Sequence, residues 1–137
     1  MLRSFEEDYM ERQITFYGDC RTKKNSQRII KAGKNYRIIP SAAYVLYEKA
    51  CVRQLNPAEW KEPIDRPINL KCVYYMRTRR KVDLVNLLEA TCDILVHAGV
   101  LADDNSRIVT GHDGSAVRYD KDNPRVEITI REVDEDE

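Results

Sequence analysis

The stretch INLKCVYYMRTRRKVDLVNLLEATCDILVHAG, residues 68–99, leaves the chain little conformational freedom. It begins with strict alternation. Ile68, Leu70, Cys72, Tyr74 and Met76 fall on one face, and Asn69, Lys71, Val73 and Tyr75 on the other, which is the period of a β-strand. After the basic run RTRRK at 77–81 the period changes. Leu84, Leu87, Leu88, Thr91, Cys92, Leu95 and Ala98 recur at helix spacing, which predicts a helix from about residue 84 to 98. Gly99 is placed to stop it, because glycine takes the left-handed conformation that closes a helix without a Cβ penalty.

The other segments supply the rest of a layered domain. RQITFYG, 12–18, alternates as a strand with Ile14 and Phe16 on one side, and Gly18 ends it. RIIKAGKNYRIIP reads as a hairpin turning at Ala32-Gly33-Lys34-Asn35. Pro40 and Ser41 open a helix with Ser41 as N-cap, and its apolar stripe is expected to be Ala43, Leu46, Tyr47, Ala50, Cys51 and Leu55. Residues 56–67 carry three prolines and Trp60 and form a loop. SRIVTGHD starts another strand, RYDKDNPR is turn-rich, and RVEITI is a last strand. The order strand, hairpin, helix, strand, helix, strand, strand describes an α+β (mixed α/β) fold. It is a single two-layer domain whose mixed sheet carries two main helices on one face. The domain is expected over 12–131, with an N-terminal extension at 1–11 and an acidic tail at 132–137.

Composition narrows the class of function. At 137 residues and 42% hydrophobic content the chain supports one core. No run approaches the roughly 20 apolar residues of a membrane span. The start, MLRSFEEDYMER, is acidic rather than basic-then-apolar, unlike a secretory signal, so a cytoplasmic protein without membrane partners is expected. Cys20, Cys51, Cys72 and Cys92 stand far apart without a C-x-x-C pair, which fits reduced core thiols better than a zinc site. The net charge is zero, yet its distribution is uneven. Residues 21–37 hold seven Lys or Arg and no acid, residues 77–81 form a second basic island, and five acids follow Arg131. Two basic islands with a compensating tail fit local contact with phosphate.

The acids on and after the second helix carry the chemistry. Glu89, Asp93 and His97 recur every four residues and share a ridge. Asp83 stands at the helix start, where it is either an N-cap or a ligand. Asp103-Asp104-Asn105-Ser106 is either a turn or a carboxylate pair at the next strand's entrance. His97 beside Gly99 fits a C-terminal histidine favoured by the helix dipole. Carboxylates suit Mg²⁺ or Mn²⁺, and such ions activate water against a phosphodiester. Together with the family resemblance that follows, these patterns make Asp83, Glu89 and Asp104 the candidate catalytic residues, and these with Asp103 the candidate metal ligands, Glu89 entering through that resemblance. Lys23, Lys24, Asn25, Arg28, Arg77, Arg79, Arg80 and Lys81 are the candidate DNA contacts.

Two segments, RRKVDLVN (79–86) and HAGVLADDNSRIV (97–109), resemble the RusA family of Holliday-junction resolvases of bacteria and prophages. The family pattern is a strand and basic run, then D-L-D-N opening a helix, then A-G-x-x-x-D-D before an apolar strand. The early TKKNSQR (22–28) resembles the family's polar loop after the first strand. The resemblance implies a Mg²⁺- or Mn²⁺-dependent endonuclease that cuts four-way DNA junctions as a homodimer. It places the family's three essential acids at Asp83, Val85 and Asp104, and its helical lysine at Glu89. Val85 lacks the carboxylate and Glu89 inverts the charge. Positions 85 and 89 lie one turn apart on one face, so Glu89 is expected to restore the carboxylate that Val85 lacks. The helix rise also separates Asp83 from the loop that follows, so Asp104 is expected either beside Glu89 or Asp93 or beside Asp83 of a second subunit. A non-catalytic nucleic-acid-binding module on the same fold is the alternative.

Overall fold

The computed structural model describes residues 10–23 and 27–134. Strand β1 (Glu11–Tyr17) is followed by a hairpin of β2 (Gln27–Ala32) and β3 (Asn35–Pro40) and then by helix α1 (Ala42–Arg53). A loop with one 3₁₀ turn (Pro57–Glu59) leads to β4 (Ile68–Met76) and helix α2 (Leu84–His97). Strands β5 (Val109–Gly111), β6 (Ala116–Tyr119) and β7 (Arg125–Glu132) complete the domain.

The main sheet is mixed, with order β1-β7-β4-β5 and β6 also paired to β4. β7 runs antiparallel to both β1 and β4, whereas β5 and β6 lie parallel to β4 along the other edge. β5 takes the start of that edge, pairing Ile68 with Val109, and β6 takes its end, pairing Met76 with Tyr119. The expected α+β class with one mixed sheet and two helices is the observed one.

Alternation makes the core. Ile68, Leu70, Cys72 and Tyr74 of β4 are buried with Val126, Ile128 and Ile130 of β7 and Ile14 and Phe16 of β1. Leu87, Leu88, Cys92, Ile94 and Leu95 of α2 pack on this face, as do Tyr47 and Cys51 of α1. Each Val, Leu, Ile or Phe among them contributes about 1.5–3 kcal/mol on leaving water. Inside the layer the Tyr74 hydroxyl lies 2.7 Å from Thr91 Oγ1, which itself donates to the Leu87 carbonyl at 2.9 Å. All four cysteines are free and buried. Burial pushes the Cys51 thiol up to about 11 and the Cys20 thiol to about 12, so both remain protonated.

Some expectations need correction. β6 ends inside the stretch RYDKDNPR expected to be turn, at Arg118 and Tyr119, and it exists because its four residues pair along β4. The strand expected from SRIVTGHD begins only at Val109, since a hydrogen-bonded turn at Asn105 occupies its start. On α1, Leu46 and Ala43 face solvent and Tyr44 is buried, because the helix rests through Tyr44, Tyr47 and Cys51. Ser41 does cap it, accepting from the Tyr44 N–H at 3.2 Å. The tail boundary shifts too: Glu132 belongs to β7 and accepts from the Met10 N–H at 3.1 Å.

Candidate active site

β4 ends at Met76 and delivers Arg77, Arg79, Arg80 and Lys81 directly to Asp83. The run is anchored by a hydrogen bond from the Arg77 N–H to Asp19 Oδ1 at 3.1 Å. A polar cleft of about 640 Å³ lies between the residues after β1 (Asp19, Arg21, Thr22) and this run (Arg77, Arg80, Lys81). Among the described residues none of Arg77, Arg79, Arg80 and Lys81 forms an ion pair. Among the described residues, then, no carboxylate neutralises their charge.

Asp83 occupies the N-cap position of α2, and its carbonyl accepts from Leu87, but its side chain makes no capping hydrogen bond. An N-cap aspartate normally bonds the free N–H groups of the first turn. Here the exposed carboxylate has no such structural task. Val85 follows at 70% exposure, an apolar side chain held in water at the start of a helix. Glu89, one turn on, is exposed and shares that side.

Asp104 comes back to the middle of α2 rather than to its start. Gly99, at φ 79°, closes the helix with Val100 N–H to Leu95 O at 2.9 Å and Gly99 N–H to Val96 O at 3.1 Å. This is the paired closure of a Schellman motif. The chain then pairs with Ile64, whose N–H donates to Val100 O and whose carbonyl accepts from Ala102, each at 2.9 Å. The turn that follows is fixed by Asp103: one oxygen accepts from Asp104 N–H at 2.7 Å and the other from Asn105 Nδ2 at 3.0 Å. These bonds hold the Asp103 carboxyl below the usual range. Asp104 is the opposite case. Although the residue is exposed, desolvation of its carboxyl, then its contact with Asp103 and the charge of Asp93, push it up. Glu89, Asp93 and Asp104 all act electrostatically on the Cys92 thiol, so they surround the same stretch of α2.

Of the other candidates, Lys23 turns its ammonium onto Asp93 Oδ2 at 2.9 Å and lies 5.5 Å from the Tyr44 ring centroid. Lys24 and Asn25 lie outside the described residues, as does the side chain of Arg28. His97 faces Glu48 of α1 at 3.6 Å. The contacts that sequence reasoning missed are Asp19 as the anchor of the basic run and Asp93 as the partner of Lys23. Only the four-residue recurrence of Glu89, Asp93 and His97 signalled the second.

Carboxylates are suitable donors for Mg²⁺, which binds through one or two of them and keeps several waters. The Asp104 carboxyl, raised by desolvation and then by its acidic neighbours, would be returned to its ionised form by a bound cation. Among the described residues no three acidic, histidine or cysteine groups converge as a closed metal site. The arrangement fits a hydrated ion on one or two carboxylates and does not fit an all-protein cage.

Fold and side chains together are those of a single α+β domain that presents the Asp83 carboxylate and arginines without an ion pair among the described residues after the end of β4. The family model for endodeoxyribonuclease RusA matches residues 20–131, and the chain belongs to that family of endodeoxyribonucleases. No curated protein matches the chain. Among the described residues no helix is long and apolar enough to cross a membrane.

Proposed function

We propose that this chain is a divalent-metal-dependent endonuclease that resolves four-way DNA junctions as a homodimer. The observation that carries the reading is Asp83, a carboxylate at a helix start with no capping bond, placed directly after four cationic side chains that form no ion pair among the described residues. Glu89 and Asp104 would hold Mg²⁺ or Mn²⁺ beside the middle of one copy's α2, with Asp83 of a second copy completing the site and Asp103 supporting Asp104 through the turn. Such an ion lowers the pKa of its bound water and offsets charge on the phosphodiester. Arg77, Arg79, Arg80 and Lys81 hold the flanking phosphates and fix the strand, with shape rather than base edges providing selectivity. Glu89 supplies the carboxylate that position 85 lacks.

Paired cuts need two sites, and the hairpin offers a face for a second copy. Ile29 and Ile38 are directly paired, Tyr36 lies on the same face, and they are 72%, 66% and 72% exposed. An isolated two-stranded hairpin is marginal in water, so a partner against this face would stabilise it. Leu46 on the exposed side of the following helix adds to the apolar surface.

A binding module without cleavage is the second reading, favoured by exposed Val85 and by the lack of a closed donor set among the described residues. Cleavage of a synthetic mobile four-way junction in Mg²⁺ or Mn²⁺ separates the two. The nuclease reading expects cuts by the wild type that disappear in Asp83→Asn. Binding without cuts would establish the module instead.

A further inference from the structure

A second group of side chains flanks the basic run on the side away from the cleft at Asp19. The register of β6 on β4 sets Tyr119 beside Met76, and the Asp120 N–H donates to the Met76 carbonyl at 2.9 Å. Tyr119 therefore stands where β4 gives way to the arginines. The Arg79 guanidinium lies 4.1 Å from the centroid of its ring. A depression of about 480 Å³ is bordered by Arg77, Thr78, Arg79, Tyr119, Lys121 and Asp122. It shares Arg77 and Thr78 with the cleft at Asp19, so the run separates two adjoining recesses.

The charge at Arg79 is oriented by the ring beneath it. A guanidinium stacked on an aromatic ring keeps its N–H donors at the edge of its plane, where they match two oxygens of a phosphate. Among the described residues neither Arg79 nor Lys121 forms an ion pair. The acid nearest Lys121 in sequence on one side, Asp120, is turned to Arg125 Nη1 at 2.9 Å, while Asp122 remains at the rim. Tyr119 is 39% exposed, a large aromatic surface kept at the rim, where it braces the arginine.

We infer that Arg79 and Lys121 form a second phosphate-binding subsite for the DNA backbone, with Tyr119 as the residue that positions Arg79. The inference rests on the nuclease reading and extends it to strand β6. The ligand is a backbone phosphodiester on the far side of Arg77 and Thr78 from the first cleft. A strand lying across the run would then be held at two points, which fixes its direction past Asp83.

Binding of the full chain to a four-way junction in EDTA, followed by fluorescence anisotropy across a salt titration, tests this apart from cleavage. Each neutralised phosphate contributes about 0.9 to the slope of log affinity against log salt. Lys121→Ala and Arg79→Ala should each lower the slope by about that amount and weaken binding severalfold. Tyr119→Leu should weaken binding in the same manner, and Tyr119→Phe, which keeps the ring, should restore it. Wild-type affinity and slope in Lys121→Ala, or equal behaviour of Tyr119→Leu and Tyr119→Phe, would overturn the subsite alone. A wild type that binds no junction would overturn both the subsite and the nuclease reading.

Discussion

Asp83 stands where a helix ordinarily takes a side-chain capping bond and makes none. The neutral isostere therefore removes charge without removing a structural contact. Asp83→Asn should leave the thermal unfolding curve unchanged while lowering cleavage roughly 100-fold or more. Asp104 differs because its carboxyl is pushed up, first by desolvation and then by Asp103 and Asp93. Its ionised form costs the fold stability. That cost is absent below the ordinary carboxylate pKa, grows as pH rises through the raised value, and is complete at neutral pH. Asp104→Asn should thus raise Tm slightly at pH 7, lose that advantage in acid, and still abolish cleavage. Calorimetry at two pH values with a parallel cleavage assay checks both parts. Glu89→Gln should abolish cleavage as Asp83→Asn does. Intact cleavage would show that the carboxylate missing at Val85 is not replaced there. That Val85 and Glu89 share one side of α2 was legible in the sequence, because helix spacing alone relates 85 to 89. The ion pair between Lys23 and Asp93 was not, because it joins residues far apart in the chain.

β4 and α2 were readable almost residue by residue, since their periods are local properties and Gly99 marks the helix end by its backbone conformation. Strand β6 was hidden, because four residues carry too little pattern and their strand character comes from pairing with β4. The stripe of α1 was misread at Leu46 because hydrophobic side chains there outnumber the positions that the sheet covers. The join of sheet and helix also has a polar link that periodicity does not reveal, the Tyr74–Thr91 hydrogen bond. Thr91→Val strands the buried Tyr74 hydroxyl and should cost about 1–3 kcal/mol in chemical denaturation. Adding Tyr74→Phe should recover much of that loss, because the double variant leaves neither group unsatisfied.

Across the whole molecule, the sheet brings the arginines to one end and leaves an apolar hairpin elsewhere. Ile38→Lys on that hairpin should shift the protein from dimer to monomer in light scattering and reduce paired incision more than junction binding. An unchanged dimer would place the two-fold contact on another surface. The most direct test of the account maps incisions in a single-turnover reaction on a mobile four-way junction, beside a linear duplex of the same sequence. A junction resolvase of this kind makes two symmetric, EDTA-sensitive cuts in opposite strands of the junction and almost none in the duplex. Equal cutting of both substrates, or binding of the junction without any incision, would contradict it.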